Sequence, residues 1–273
     1  MRSPTLLLLL LCTIVLPAEA QNTLLKSKVV DARGGQGVAY VNIGIPGKNV
    51  GTVSNEQGHF ELRLTDNQLS DTLLFSCIGY ETVRVPANLL RELDMPVMLT
   101  PKVAELKQVQ VEASKLKEKY FGIFTESPVV QAGFNDNILG KECGVPMFTK
   151  QPALLDQVQI NFGKCTYDSV FFRLNVYQKS DSGRYENILR EPLVYAYSKL
   201  EIDETLAIDL RAYNIEVRGD FMISVEYMRD LGPGTLYFKS KLNKSSYVRA
   251  TSQAEWVKMP IAVSIGVFAL VGR

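Results

Sequence analysis

The chain reads as all-β, two sandwiches in succession behind an export signal. Three observations carry that reading. Apolar and polar residues alternate with period two from Lys28 onward, Gly and Asn clusters punctuate the runs, and the first twenty residues have the layout of a cleaved leader. In the leader, Arg2 supplies the charged start, Leu6 to Leu16 the apolar stretch, and Ala18-Glu19-Ala20 the small-x-small cleavage site. That apolar stretch is shorter than the roughly 20 residues needed to span a bilayer. Cys12 follows Leu11, where a lipidation site requires a small residue, so no lipid anchor is expected. No later segment, Ile261 to Val271 included, is long and uninterrupted enough for a membrane helix, so no transmembrane segment is expected.

The mature chain, about 250 residues, accommodates two domains of ordinary size. Its formal net charge of +1 lacks the clustered excess of Lys and Arg that nucleic acid or an anionic membrane surface demands. Export leaves Cys77, Cys143 and Cys165, an odd number in an oxidising compartment. Cys77 lies in an apolar strand pattern and reads as a small buried hydrophobe. Cys143 and Cys165 are the possible disulfide, though spacing alone does not set their separation.

In chain order, Val38 to Ile45 and Phe60 to Leu64 alternate, with tight turns at Gly47, Gly51 and Asn55 to Gly58 between them. Leu73 to Ile78 is a continuous apolar strand, followed by Thr82 to Val85 and Pro96 to Leu99, with one short helical turn over Ala87 to Leu93. Residues 112–128, rich in lysine and ending in Ser127-Pro128, read as a linker. Beyond it Leu155 to Phe162, Val170 to Tyr177, Asp203 to Leu210, Phe221 to Tyr227 and Ile261 to Leu270 are strand patterns, separated by Gly163, Ser182-Gly183 and Gly232-Pro233-Gly234. About eight such strands, apolar on one face, suggest a jelly-roll-like sandwich over 129–273.

The run Gly51-Thr52-Val53-Ser54-Asn55, then Gly58-His59-Phe60, then Phe75-Ser76-Cys77-Ile78-Gly79-Tyr80 is the most specific feature. With Val29-Val30-Asp31 and Gly37 to Val41 ahead of it, residues 27–100 resemble the carboxypeptidase-regulatory-like (transthyretin-like) domain of bacterial envelope proteins, within a first domain drawn over 21–111. The resemblance implies a seven-stranded prealbumin-like sandwich without chemistry of its own. The same module precedes the plug and barrel of many TonB-dependent transporters, where a Leu-x-x-Val-x-Val segment follows it; Leu106 to Val111 has that form. It reads first as an edge strand and otherwise as a contact for an energy-transducing partner. About 150 further residues do not supply a plug and large barrel. Residues 165–177, 187–189 and 219–221 resemble pieces of a second domain that accompanies this module in exported proteins and has no defined activity.

Candidate chemistry is sparse. A single histidine, His59, leaves no His-based metal or triad site within the chain, and no cofactor is expected. Asp66-Asn67 with Asp71, and Asn135-Asp136-Asn137, offer oxygen ligands for calcium, but turn-forming Asx residues account for both. Glu201, Asp203, Glu204, Asp209, Glu216, Asp220 and Glu226 include paired acids of the kind glycoside hydrolysis uses, although acids at strand ends read first as a solvated face. For a ligand platform the candidates are Trp256, Tyr213 and Tyr247; Trp256 also reads as a core plug. The expected function is a non-enzymatic binding or assembly module of the periplasm or outer envelope, engaging a protein or glycan. The alternatives are a carbohydrate-active enzyme using carboxylates of the second domain, and an accessory of a TonB-linked uptake system.

Overall fold

The computed structural model describes residues 22–93, 95–102, 116–202 and 205–272. The leader, the Leu106–Val111 segment and Asp203-Glu204 lie outside the described residues. Among the described residues the first unit has seven strands: β1 (Asn22–Asp31), β2 (Asn42–Gly44), β3 (Gly51–Val53), β4 (His59–Thr65), β5 (Thr72–Ser76), β6 (Val83–Pro86) and β7 (Val97–Leu99). They form two sheets, β4-β1-β7 and β3-β2-β5-β6, with helix α1 (Ala87–Leu93) between β6 and β7. Alternation along β4 sends Phe60, Leu62 and Leu64 into a core with Ile43, Leu73, Phe75 and Leu99, while His59, Glu61 and Arg63 stay exposed. Phe60 meets Phe75 edge-on, ring centroids 5.6 Å apart.

The glycine-rich signature is a turn held by side chains. The buried Ser54 hydroxyl accepts from Val41 N at 2.9 Å and donates to Val38 O at 3.0 Å. Asn55 Oδ1 accepts from the backbone N–H of Gln57 and His59, the Asx turn its residue type favours. The strand expected over Val38 to Ile45 shrinks to Asn42–Gly44 because Tyr40 adopts φ 57, which breaks the extended run.

The second unit has eleven strands: β8 (Lys117–Gly122), β9 (Gln131–Phe134), β10 (Glu142–Cys165), β11 (Ser169–Lys179), β12 (Tyr185–Asn187), β13 (Leu193–Ser198), β14 (Thr205–Asp209), β15 (Glu216–Tyr227), β16 (Leu236–Arg249), β17 (Val257–Val263) and β18 (Ile265–Val271). A short helix α2 (Lys199–Ile202) precedes β14. The 24-residue β10 joins the layers of this β-sandwich: Glu142 to Thr149 pair with β15, and Gln157 to Ile160 pair with both β14 and β18. Its register shifts between Thr149 and Ala153, where Pro152 withholds a backbone donor. The core between the layers centres on Phe162, Phe172 and Phe238, with centroids 5.1–6.0 Å apart.

Three expectations are corrected. The linker read over 112–128 contains β8, which pairs with β18 from Gly122↔Gly266 to Lys117↔Val271 and buries Phe121 while Lys117 to Lys119 stay exposed. The single strand over Ile261 to Leu270 is two strands, parted at Ser264. Cys143 and Cys165 are both free thiols standing at opposite ends of β10, and a strand that rises about 3.3 Å per residue carries them too far apart to bond.

Candidate functional site

Strand β11 buries both faces. Phe172, Leu174 and Val176 face the sandwich core; Arg173, Asn175 and Tyr177, one residue out of phase, are buried as well. The first unit covers part of this second face. Arg173 donates from Nη1 to the Tyr40 carbonyl at 2.9 Å and from Nη2 to Asn42 Oδ1 at 2.5 Å. Gln253 donates to Ser76 Oγ at 2.8 Å, and its own carbonyl accepts from Gly47 N at 3.0 Å. Gly44 and Gly51, opposite each other on β2 and β3, let the Ser252 carbonyl in: a Cβ on either would lie within 2.4 Å of that oxygen. At the rim Arg229 pairs with Glu56 and lies 4.1 Å from the Phe171 ring centre.

Beneath this junction, strand register builds a row of charge. Arg173 stands opposite Glu226, Glu226 opposite Glu142, and Glu142 opposite Arg249, across β11, β15, β10 and β16. Both carboxylates are fully buried. Glu226 Oε2 accepts from Arg173 Nε at 3.0 Å, Arg173 Nη2 at 2.8 Å and Asn175 Nδ2 at 2.8 Å. Glu142 accepts from Asn175 at 2.9 Å, Tyr177 at 3.0 Å, Ser224, and the Arg249 guanidinium. Glu226 Oε1 and Arg249 Nε are buried without a hydrogen-bond partner among the described residues.

Burial, and then the neighbouring Glu226 charge, push the Glu142 carboxyl above its ordinary value of 4.5, against the pull of Arg249, Ser224 and Asn175. The folded chain therefore keeps this proton to higher pH than the unfolded chain does. The stability it contributes is present below about 4.5 and is lost as pH rises through the raised folded value. Glu142→Gln, which cannot titrate, is expected to gain ground on the native chain as pH climbs from 4 upward, measured as the difference in urea unfolding free energy. A difference that stays flat with pH sinks this assignment.

A cavity of about 360 Å³ opens above the row, between the loop from Ser76 to Thr82 and strands β11 and β16. Arg173 and Arg249 line it, with Lys102, Arg190 and Tyr177, and no carboxylate is among its described lining residues. Arg249 also lines a second, mostly apolar cavity of about 390 Å³, whose wall includes Glu142. A larger opening of about 750 Å³ between the units carries the Arg229–Glu56 pair together with Glu61 and Asp230, so its cation is already matched by acids.

The residues expected from sequence disperse. Trp256 is half-buried, with the Tyr177 ring edge-on at 5.7 Å and Arg249 at 5.0 Å from its centre, so it backs the charged row and is no core plug. Tyr247, two residues before Arg249 on β16, meets Tyr185 at 6.0 Å. Tyr213 packs against the sandwich core near Tyr195, away from both. Glu226, read as part of a solvated face, is fully enclosed. Glu201 caps Ser198, and Asp209 pairs with Arg211, whose hydrogen bonds hold its carboxyl down at about 2. Glu142 and Arg249 carried no signal of their own; the available one was Arg173, Asn175 and Tyr177 at alternate places in an apolar strand.

Residues 25–111 match the model of the CarboxypepD_reg-like domain family. The chain thus carries a carboxypeptidase-regulatory-like domain, the first unit of the fold. No curated protein matches the chain. Among solved structures, a two-domain protein of unknown function from Bacteroides fragilis is 9% identical, with a TM-score of 0.27, covering 90% of this chain and 84% of that one. The VP2 subviral particle of infectious bursal disease virus is 10% identical at a TM-score of 0.21, covering 92% and 64%. At such scores neither likeness informs function. Among the described residues, no helix is long and apolar enough to cross a membrane.

Proposed function

We propose that the chain is an exported, non-enzymatic binding module of the bacterial cell envelope that engages a glycan or protein partner at the junction of its two units. The pocket above the Arg173–Glu226–Glu142–Arg249 row carries this reading, because loops of the regulatory-like domain and strands of the second unit both contribute to it. Export is the role the first twenty residues would serve. The competing hydrolase reading needs two acids facing each other across an open cleft. Glu142 and Glu226 instead lie under arginines, and neither lines this pocket.

Screening the chain against a glycan array and by polysaccharide pull-down tests the proposal, with Trp256→Ala as the paired variant. Removing the indole takes away the surface behind Tyr177 and Arg249. Capture lost in a variant that keeps its circular dichroism supports binding at this junction. Capture that the variant retains places binding elsewhere, and no capture of any glycan leaves a protein partner, to be sought by cross-linking in cells.

A further inference from the structure

We propose that the junction pocket recognises an acidic sugar, a uronate residue of a polysaccharide, through its carboxylate. This deepens the binding reading above and rests on it. The charge of the lining comes first: Lys102, Arg173, Arg190 and Arg249 line the cavity, and no carboxylate is among its described lining residues. Glu226 and Glu142 match Arg173 and Arg249 from beneath, and Lys102 adds a cation with no ion pair among the described residues. Arg173 is engaged by Glu226, Tyr40 and Asn42, which makes it a tie between the units. Arg249 is different. One of its terminal nitrogens serves Glu142 and Tyr177 and lies 3.9 Å from Glu226 Oε1, while its buried Nε has no hydrogen-bond partner among the described residues. A buried donor left unsatisfied carries a desolvation penalty, and Arg249 lines both this cavity and the apolar one, so an anion beside its guanidinium is favoured here by charge.

The neutral part of the lining separates a sugar from a peptide. Asn42, Asn187 and Gln253 bring amides and Ser76, Thr82 and Tyr80 bring hydroxyls to the lining. Asn42 Oδ1, both ends of the Asn187 amide, Gln253 Nε2, Ser76 and Tyr80 already bond within the chain, so the sugar hydroxyls are left Asn42 Nδ2, Gln253 Oε1 and the Thr82 hydroxyl, with the second lone pair or proton of the bonded groups. Among the described lining residues, Ile78 and Leu189 are the sizeable aliphatic side chains. A peptide C-terminus brings apolar side chains and a strand of backbone, for which this lining has little to offer. A ring carrying several hydroxyls and one carboxylate matches both halves of it. The volume, about 360 Å³, sits at the low end of ligand pockets, which run about 300–1,000 Å³.

The test is titration calorimetry of the full chain with trisaccharides of galacturonate, mannuronate and guluronate. The carboxyl-reduced neutral counterparts and a short peptide with a free C-terminal carboxylate form the comparison arms. At least one uronate is expected to bind at least about tenfold tighter than its reduced form and to weaken as salt is added. Lys102→Glu changes an exposed side chain at the pocket, so folding is spared, and is expected to weaken that binding about tenfold or more. Arg249→Gln is expected to do the same, with a urea curve run alongside because it also disturbs the buried row. Equal binding of acidic and reduced sugars overturns the inference while leaving a glycan-binding module standing. So does uronate binding indifferent to Lys102→Glu, which locates the glycan elsewhere. Peptide binding without uronate binding overturns it in favour of a protein partner, and silence from every carbohydrate removes the glycan reading with it.

Discussion

Glu226→Ala is expected to lower the unfolding free energy by about 3–5 kcal/mol, the usual loss when one member of a buried ion pair is deleted. The change strands a guanidinium. Arg173 has only 3% of its side chain exposed, and two of its nitrogens donate to Glu226 at 3.0 and 2.8 Å. Asn175 loses one of its two carboxylate partners, and Arg249 loses the more distant carboxylate at 3.9 Å. Glu142 is left as the one carboxylate for two arginines. Replacing both partners, Arg173→Met with Glu226→Leu, removes the charge along with its mate and is expected to recover much of the loss. Urea midpoints at an unchanged slope report this directly. The double variant still lacks the bonds from Arg173 to Tyr40 and Asn42, so it is expected to fall short of the native chain. A single variant within about 1 kcal/mol of native, the range typical of exposed pairs, contradicts a buried and matched row.

This row also marks where sequence reasoning stopped. Period-two alternation located the strands holding Phe60, Phe172 and Phe221, because burying alternate side chains is a local requirement that each strand states for itself. The regulatory-like domain was legible for the same reason: its turn is made by Ser54, Asn55 and Gly58 acting on backbone within a few residues or on the adjoining strand. The junction has no local statement. Glu142 meets Glu226 and Arg249 only through the registers of β10 with β15 and β16, and the cover over Arg173 comes from residues more than 130 positions away. An acid in an apolar strand looks the same whether water or another unit lies over it. Strand β10 misled for a related reason. Gly144, Pro146, Pro152 and Gly163 are breaker residues in isolation, yet Gly144 pairs on both sides and Pro146 with β15, while Pro152 and Gly163 fall at register shifts that the flanking ladders span. Strand β8 likewise takes its conformation from β18, against a composition that reads as linker.

The other large effect expected is local and tests the turn itself. Gly58→Ala is expected to cost about 3 kcal/mol or more, from two sources acting together. Its φ of +83 is a conformation that costs an L-residue about 1–2 kcal/mol on its own. The added Cβ would also lie 2.3 Å from the Val29 carbonyl oxygen and 3.0 Å from Val38 N. Those are backbone atoms already bonded: Val38 N donates to Val29 O at 2.9 Å, and Val29 N donates to the Gly58 carbonyl at 2.8 Å. No side chain can swing aside to make room, so β1 and the turn must separate. Gly79 supplies the control, since its φ is +85 and a methyl group added there would meet nothing within 4 Å. Gly79→Ala is therefore expected to show the conformational part alone, about 1–2 kcal/mol. The difference between the two variants, read from urea unfolding of the full chain, isolates the close approach of backbone to backbone. If Gly58→Ala costs no more than Gly79→Ala, the turn yields easily, and the glycine is required only for its dihedral angle.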